Sequence, residues 1–220
     1  MSSHLDVVFF DVGGPLYSDR PYYEGLLAGI KEVRPDVDEG EFWTAYDECR
    51  RDQRGPFTRR LVTRFVDESQ AERALELGKA KWTYPPEYLQ PDARETLEKL
   101  HGSYRLGVLA NQERWIRDAM ARDGLDAYID TWAISAEIGS EKPDPGIFLF
   151  ALADVRVLPS RCVMIGDRLD NDIVAAKAQG MRAVWLLRGE APDDPTPEQL
   201  GRADAAVRTL TELPETLERL

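Results

Sequence analysis

The sequence predicts an α/β fold: a parallel sheet covered by helices on both faces, interrupted near its start by a helical insertion. Three observations carry this. Beyond residue 91, short apolar runs alternate with helix-period stretches of about ten to fifteen residues, as βαβ units require. The first apolar run, Val7 to Phe10, reads as a buried strand that ends abruptly on Asp11 and two glycines. The stretch from 18 to 88, by contrast, contains helical periods and no strand-like run.

In order, residues 5–10 form the first strand. "RPYYEGLLAGIKEVRP" places Tyr23, Leu26, Leu27 and Ile30 at helical spacing, with Pro35 ending it. "EFWTAYDECRRD" repeats the pattern through Phe42, Trp43, Tyr46 and Cys49. "FTRRLVTRFVDE" and "SQAERALELGKAKW" give two further helices, and the proline-rich "YPPEYLQP" returns the chain. There follow a helix "DARETLEKLHG", a strand "YRLGVLA", a helix "ERWIRDAMARDG" and a strand "TWAIS". A helix "DPGIFLFALADV", a strand "RCVMIG", a helix "DNDIVAAKAQG" and a strand "MRAVWLL" come next. "ADAAV" and "TLTELPETLERL" supply the last strand and helix, after a polar, mobile loop "GEAPDDPTPEQ" at 189–199.

At 220 residues the chain suits one domain with an insertion or two modest domains. Apolar residues at 43% and charged residues at 31% are the balance of a soluble globular protein. The formal charge of −12 argues against nucleic-acid and anionic-membrane partners, which call for basic patches. An anionic substrate would need a local positive site or a metal ion. Cys49 and Cys162 have no zinc or disulfide spacing and read as buried thiols in a reducing cytosol. No run reaches the roughly 18 apolar residues of a membrane span. The first strand starts too close to Met1 for a signal peptide, so the expected location is cytoplasmic.

Polar chemistry collects just past the predicted strand ends. Strand one delivers Asp11, "YRLGVLA" delivers Asn111, and "RCVMIG" delivers Asp167 with Asp170 and Asp172 behind it. Lys142 precedes a helix in "SEKPDPG". Parallel strands bring these ends to one sheet edge. Clustered carboxylates repel unless a cation sits among them, and an all-oxygen set without His or Cys points to a hard cation, magnesium first among them. Each piece also has a bland reading. Asp11 with Gly13 and Gly14 is an ordinary turn, "GDRLDND" a helix cap, "EKPDPG" a turn entering a helix, and Lys142 a solvated lysine.

In this order the pieces resemble the haloacid dehalogenase-like hydrolase superfamily. That family ends its first strand on a nucleophilic Asp. It carries Ser or Thr followed by Asn on a later strand, a Lys before a helix, and an acidic "GDxxxND". Here these positions are Asp11, Ala110 with Asn111, Lys142, and "GDRLDND" with Asp167 and Asp172. The resemblance implies a Rossmann-like core over 1–17 and 89–220, with a small helical-bundle cap over 18–88. It implies hydrolysis of a small phosphorylated substrate through an aspartyl phosphate on Asp11. Magnesium would be held by Asp11, Asp167 and the Gly13 carbonyl, with Asp172 outside them. Lys142 and Asn111 would join Asp11 as catalytic groups. The phosphate would meet Gly13, Gly14, Ala110, Asn111 and Lys142, with Tyr17 and Arg20 reaching the rest of the substrate.

Two positions depart from the family pattern. The second Asp of family phosphatases, a general acid and base, is Gly13 here; the usual Ser or Thr is Ala110. General acid–base catalysis is worth about 10² to 10⁴ in rate, so both losses matter. Three readings follow: a phosphatase favouring good leaving groups, a metal-free haloacid dehalogenase in which Asp11 attacks carbon, and a non-catalytic binder of a phosphorylated ligand or partner. Asp167 and Asp172 count against the dehalogenase. In the insertion, Tyr22, Tyr23, Arg51, Arg54, Arg59 and Arg60 either meet substrate or form core and solvated faces, while Trp43 and Trp82 read as packing. His4 and His101 lie off the constellation.

Overall fold

The computed structural model describes residues 4–220, and the chain divides into two compact units. One holds the stretch up to Ser18 together with Leu89–Leu220; the other is Asp19–Tyr88.

The first unit is built on β1 (Val7–Phe10), β2 (Arg105–Ala110), β3 (Thr131–Ile134), β4 (Cys162–Gly166), β5 (Arg182–Leu186) and β6 (Ala205–Val207). They form one all-parallel sheet in the order β3-β2-β1-β4-β5-β6, the Rossmann order. Phe10 pairs with Val108 of β2 on one side and Ile165 of β4 on the other. The winding reverses at β1, and in such sheets the crevice for ligands opens at the carboxyl ends of the strands beside the reversal. All of β1 and β4 is buried, as uninterrupted apolar strands must be when helices cover both faces.

The second unit is four helices: α1 (Arg20–Val33), α2 (Glu39–Asp52), α3 (Phe57–Val62) and α4 (Glu68–Lys79). Pro21 sits in the first turn of α1, where its missing N–H costs nothing. Tyr23, Leu26, Leu27 and Ile30 are buried along one face, matching their helical spacing. Asp38 caps α2, its carboxylate accepting the Glu41 N–H at 2.9 Å. Phe42 and Cys49 are buried there, whereas Trp43 and Tyr46 only border the core. Helices α1 and α4 meet backbone to backbone: a Cβ on Gly29 would stand inside 3 Å of Gly78 and Ala74 main-chain atoms.

The remaining helices belong to the first unit: α5 (Ala93–His101), α6 (Ile116–Arg122), α7 (Ser135–Ile138), α8 (Pro145–Val155), α9 (Ala175–Ala178), α10 (Pro197–Leu200) and α11 (Leu213–Glu218). Ile147, Phe148 and Ala151 of α8 pack with Val7 and Phe9 of β1 in one core layer. Helices α7 and α10 lie outside the sequence expectation, because four residues are too few to show a period. The helix expected from "DNDIVAAKAQG" differs at its start. Leu169–Val174 is wound as a π-helix, in which the Ile173 N–H reaches back five residues to the Arg168 carbonyl at 3.3 Å. Such turns concentrate at functional sites. Cys49 and Cys162 are free and buried. Among the described residues no helix is long and apolar enough to cross a membrane.

Candidate active site

Asp11 follows β1 directly. Its N–H donates to the Ile165 carbonyl at 2.9 Å, adding one rung to the β1–β4 ladder and fixing the carboxylate at the sheet edge. The Val12 N–H donates to Asp11 Oδ1 at 2.8 Å. The chain then turns back, with the Leu16 and Tyr17 N–H groups both donating to the Val12 carbonyl at 2.9 Å. Gly14 has φ +78°, and a Cβ there would stand inside 3 Å of all three carboxyl atoms of Asp167. The second glycine is thus required twice over, by backbone conformation and by the carboxylate laid against it.

Asp167 leaves the end of β4. Its carbonyl accepts the Trp185 indole N–H at 2.8 Å, and its Oδ2 accepts the Glu190 N–H at 2.6 Å. Asp172 sits in the π-helix, its Oδ2 accepting the Arg168 N–H at 2.9 Å. Lys142 reaches in from the loop before α8. Its Nζ lies 2.6 Å from Asp172 Oδ1 and 2.9 Å from Asp11 Oδ1. The Lys142 and Asp172 side chains are fully buried, while 14% of the Asp11 side chain stays exposed, so the one face open to a ligand belongs to Asp11.

Burial drives the electrostatics. It pushes the Asp11 carboxyl from 3.8 up to about 7; Asp172 adds to the rise and Lys142 opposes it. Burial also works against the Lys142 ammonium, but Asp11 and Asp172 outweigh it and hold lysine above its usual range. One ammonium cannot neutralise three carboxylates. Asp11, Asp167 and Asp172 each offer one oxygen, all within 4.8 Å of one another. The donors are all hard oxygens. They fit magnesium.

The other expected residues fall into two groups. Ala110 is buried at the end of β2 and Asn111 follows it. The Asn111 amide is taken up by Lys142: Nδ2 donates to the Lys142 carbonyl at 2.8 Å, and Oδ1 accepts the Lys142 N–H at 2.6 Å. Asn111 therefore holds the backbone of Lys142 on both sides. Tyr17, expected to reach the substrate, is fully buried, and its hydroxyl donates to Asp123 Oδ2 at 2.7 Å. In the helical unit Arg20 pairs with Glu24 at 2.7 Å and stacks 4.0 Å over Trp43. Tyr23 is buried against Phe57, Arg59 pairs with Glu68, and Arg60 with Asp52.

Sequence reasoning missed the contribution of β5 and its loop. Trp185 and Glu190 hold Asp167, and Ala191 and Pro192 are buried; the loop expected to be polar and mobile opens as packed structure and contains α10. A polar string such as "RGEAPDD" carries no local sign of partners some 20 residues back.

A family model described as a haloacid dehalogenase-like hydrolase matches residues 5–180. The chain is 33% identical to the glyceraldehyde 3-phosphate phosphatase of Pyrococcus furiosus over 98% of this chain and 93% of that one. It is 35% identical to the phosphoserine phosphatase of Thermus thermophilus over 64% of this chain, spanning only 59% of that relative. The crystal structure of a HAD phosphatase from Thermococcus onnurineus superposes with a TM-score of 0.64 at 27% identity, covering 97% of this chain and 98% of that one. An aspartate at the end of the central strand, a buried lysine and an acidic pair one strand away accord with that match: the chain belongs to the haloacid dehalogenase-like hydrolases.

Proposed function

We propose that this hydrolase is a magnesium-dependent phosphatase of small phosphorylated metabolites that works through an aspartyl phosphate on Asp11. The observation that carries the reading is the buried Lys142 bridging Asp11 and Asp172 beside Asp167. Phosphoryl transfer asks mainly for positioning and charge stabilisation, which this arrangement offers. Lys142 and the Val12 N–H occupy Asp11 Oδ1, which leaves Oδ2 as the attacking atom. Asp11 Oδ2 forms a bond to phosphorus while the bond to the leaving oxygen breaks with its electron pair. The leaving group takes its proton from solvent, since Gly13 offers none. Water then attacks the aspartyl phosphate, giving inorganic phosphate and the free carboxylate. Asp11, Asp167 and the Gly13 carbonyl would hold magnesium, with Asp172 outside them, and the ion would supply positive charge to the phosphate oxygens.

Without a proton donor at Gly13, substrates with good leaving groups are favoured: acyl, aryl or anomeric sugar phosphates over simple alkyl ones. Dephosphorylation also lacks its base, so phosphoenzyme accumulates and turnover shows a burst. The same acidic pair disfavours a metal-free dehalogenase, which has no use for Asp167 and Asp172. Asn111 acts through Lys142, whose backbone it grips. The helical unit is inserted just after the Asp11 loop, where a cap would stand in the chain, and Arg20 opens its first helix. Buried thiols and a charge of −12 accord with a cytoplasmic enzyme of small anionic metabolites, not one of nucleic acid.

The test is intact-protein mass spectrometry during turnover with magnesium and a panel of acyl, aryl and sugar phosphates. An added phosphoryl mass in wild type, absent in Asp11→Asn, is the expected result. No adduct and no phosphate release across the panel would leave the binding protein as the better reading.

A further inference from the structure

We propose that Arg188, Gly189 and Glu190, in the loop after β5, are positioning residues that lock the Asp11 loop to Asp167. The three act on different parts of the site. Arg188 Nε donates to the Gly14 carbonyl at 3.2 Å, and its Nη2 donates to the Pro15 carbonyl. Its Nη1 grips both oxygens of Asp92 at 2.9 and 3.0 Å, and Asp92 in turn accepts the Leu210 N–H at 2.8 Å. One guanidinium therefore ties the turn after Asp11 to the start of α5 and the C-terminal segment. Arginine suits this because its planar fork serves several acceptors from one fixed position.

Gly189 closes the contact. It has φ +61°, and a Cβ there would stand 2.7 Å from the Gly14 Cα and deep inside contact of Asp167 Oδ2. The two glycines meet so closely that the Asp167 carboxylate is sandwiched against both. Glu190 then donates its N–H to Asp167 Oδ2 at 2.6 Å, while its own carboxylate lies 3.4 Å from Arg168 Nε. Arg168 also holds Asp170 at 3.0 Å, which brings the segment carrying Asp172 into the same network. Donors outside a metal site that orient its ligands are worth about 10- to 100-fold in metal affinity. By this geometry the three residues set the separation of Asp11 and Asp167.

The inference rests on reading Asp11, Asp167 and Asp172 as the magnesium site, and the experiment separates the two. Magnesium is titrated calorimetrically into the full chain as wild type, Gly189→Ala and Arg188→Lys, and each metal-free protein is melted alongside. Gly189→Ala is expected to weaken magnesium binding about 10- to 100-fold, with a melting temperature within a few degrees of wild type. Arg188→Lys, whose single nitrogen lacks the planar fork that spans the Gly14 and Pro15 carbonyls and Asp92, is expected to weaken it by less. Wild-type magnesium affinity in both variants would overturn the positioning role. A wild type that binds no magnesium would instead overturn the metal reading. Should Gly189→Ala fail to fold, Arg188→Lys, which keeps the charge, decides the matter.

Discussion

The two units of the molecule use the same kind of interaction to opposite ends. In the helical unit, ion pairs such as Arg64–Glu48, Arg59–Glu68 and Lys81–Glu32 lie on the surface, each partner about 40% exposed or more. In the α/β unit, Lys142, Asp172 and Asp11 are paired where water hardly reaches. A surface pair is worth ~0–1 kcal/mol because water and salt replace it readily. A buried one is costly to assemble, and removing a single partner strands a charge. Nature places the second kind where the chain needs reactivity, and the first where it needs solubility.

Three substitutions sharpen that contrast. The largest effect is expected from Lys142→Ala. Removing one partner of a buried pair costs about 3–5 kcal/mol, and phosphatase turnover should fall at least ~10²-fold as Asp11 loses its lysine. Denaturant melts in chelator, repeated with added magnesium, should show the loss and its partial recovery, since a cation replaces part of the missing charge. A melt unaffected by the substitution would mean that Lys142 is not the counter-charge of the carboxylates.

Asp11→Asn should break the comparison the other way. The folded carboxyl titrates near 7 and its ordinary value is 3.8, so the folded state binds more protons between those values. The contribution of Asp11 to stability is therefore full below about pH 4 and lost as pH rises through 7. The metal-free Asn variant should be more stable than wild type at pH 8 and not at pH 4. Paired melts at the two pH values would read this out, and a constant difference would refute it. The smallest effect is expected from Glu48→Gln in the helical unit, under about 1 kcal/mol and fading with salt. A larger loss would show that the exposed pairs of that unit are coupled.

Much of the α/β unit was legible in the sequence because its signals are local. Val7 to Phe10 can only be a buried strand, and "GDRLDND" after another apolar run puts acid at a neighbouring strand end. Parallel strands then bring Asp11, Asp167, Asp172 and Lys142 together without further information. What was not legible depends on long-range packing. Tyr17 looked like a substrate contact by its nearness in sequence to Asp11, yet its partner Asp123 is 106 residues away. The grip of the Asn111 amide on the Lys142 backbone, 31 residues on, has no local sign either. Arg188 acts on carbonyls 173 and 174 residues earlier, and no periodicity or spacing encodes such a partnership.

The shared lysine has a consequence for the order of events. Three carboxylates share one ammonium at this edge, on a protein that already carries −12. A phosphate dianion approaching that edge is turned away. With a divalent ion in place that negative charge is offset, and the half-buried oxygen of Asp11 faces an anion it no longer repels. The cation is then less a helper of the reaction than its admission ticket. On the proposed reading metal would enter first and substrate second, and the metal-free protein would bind free phosphate weakly.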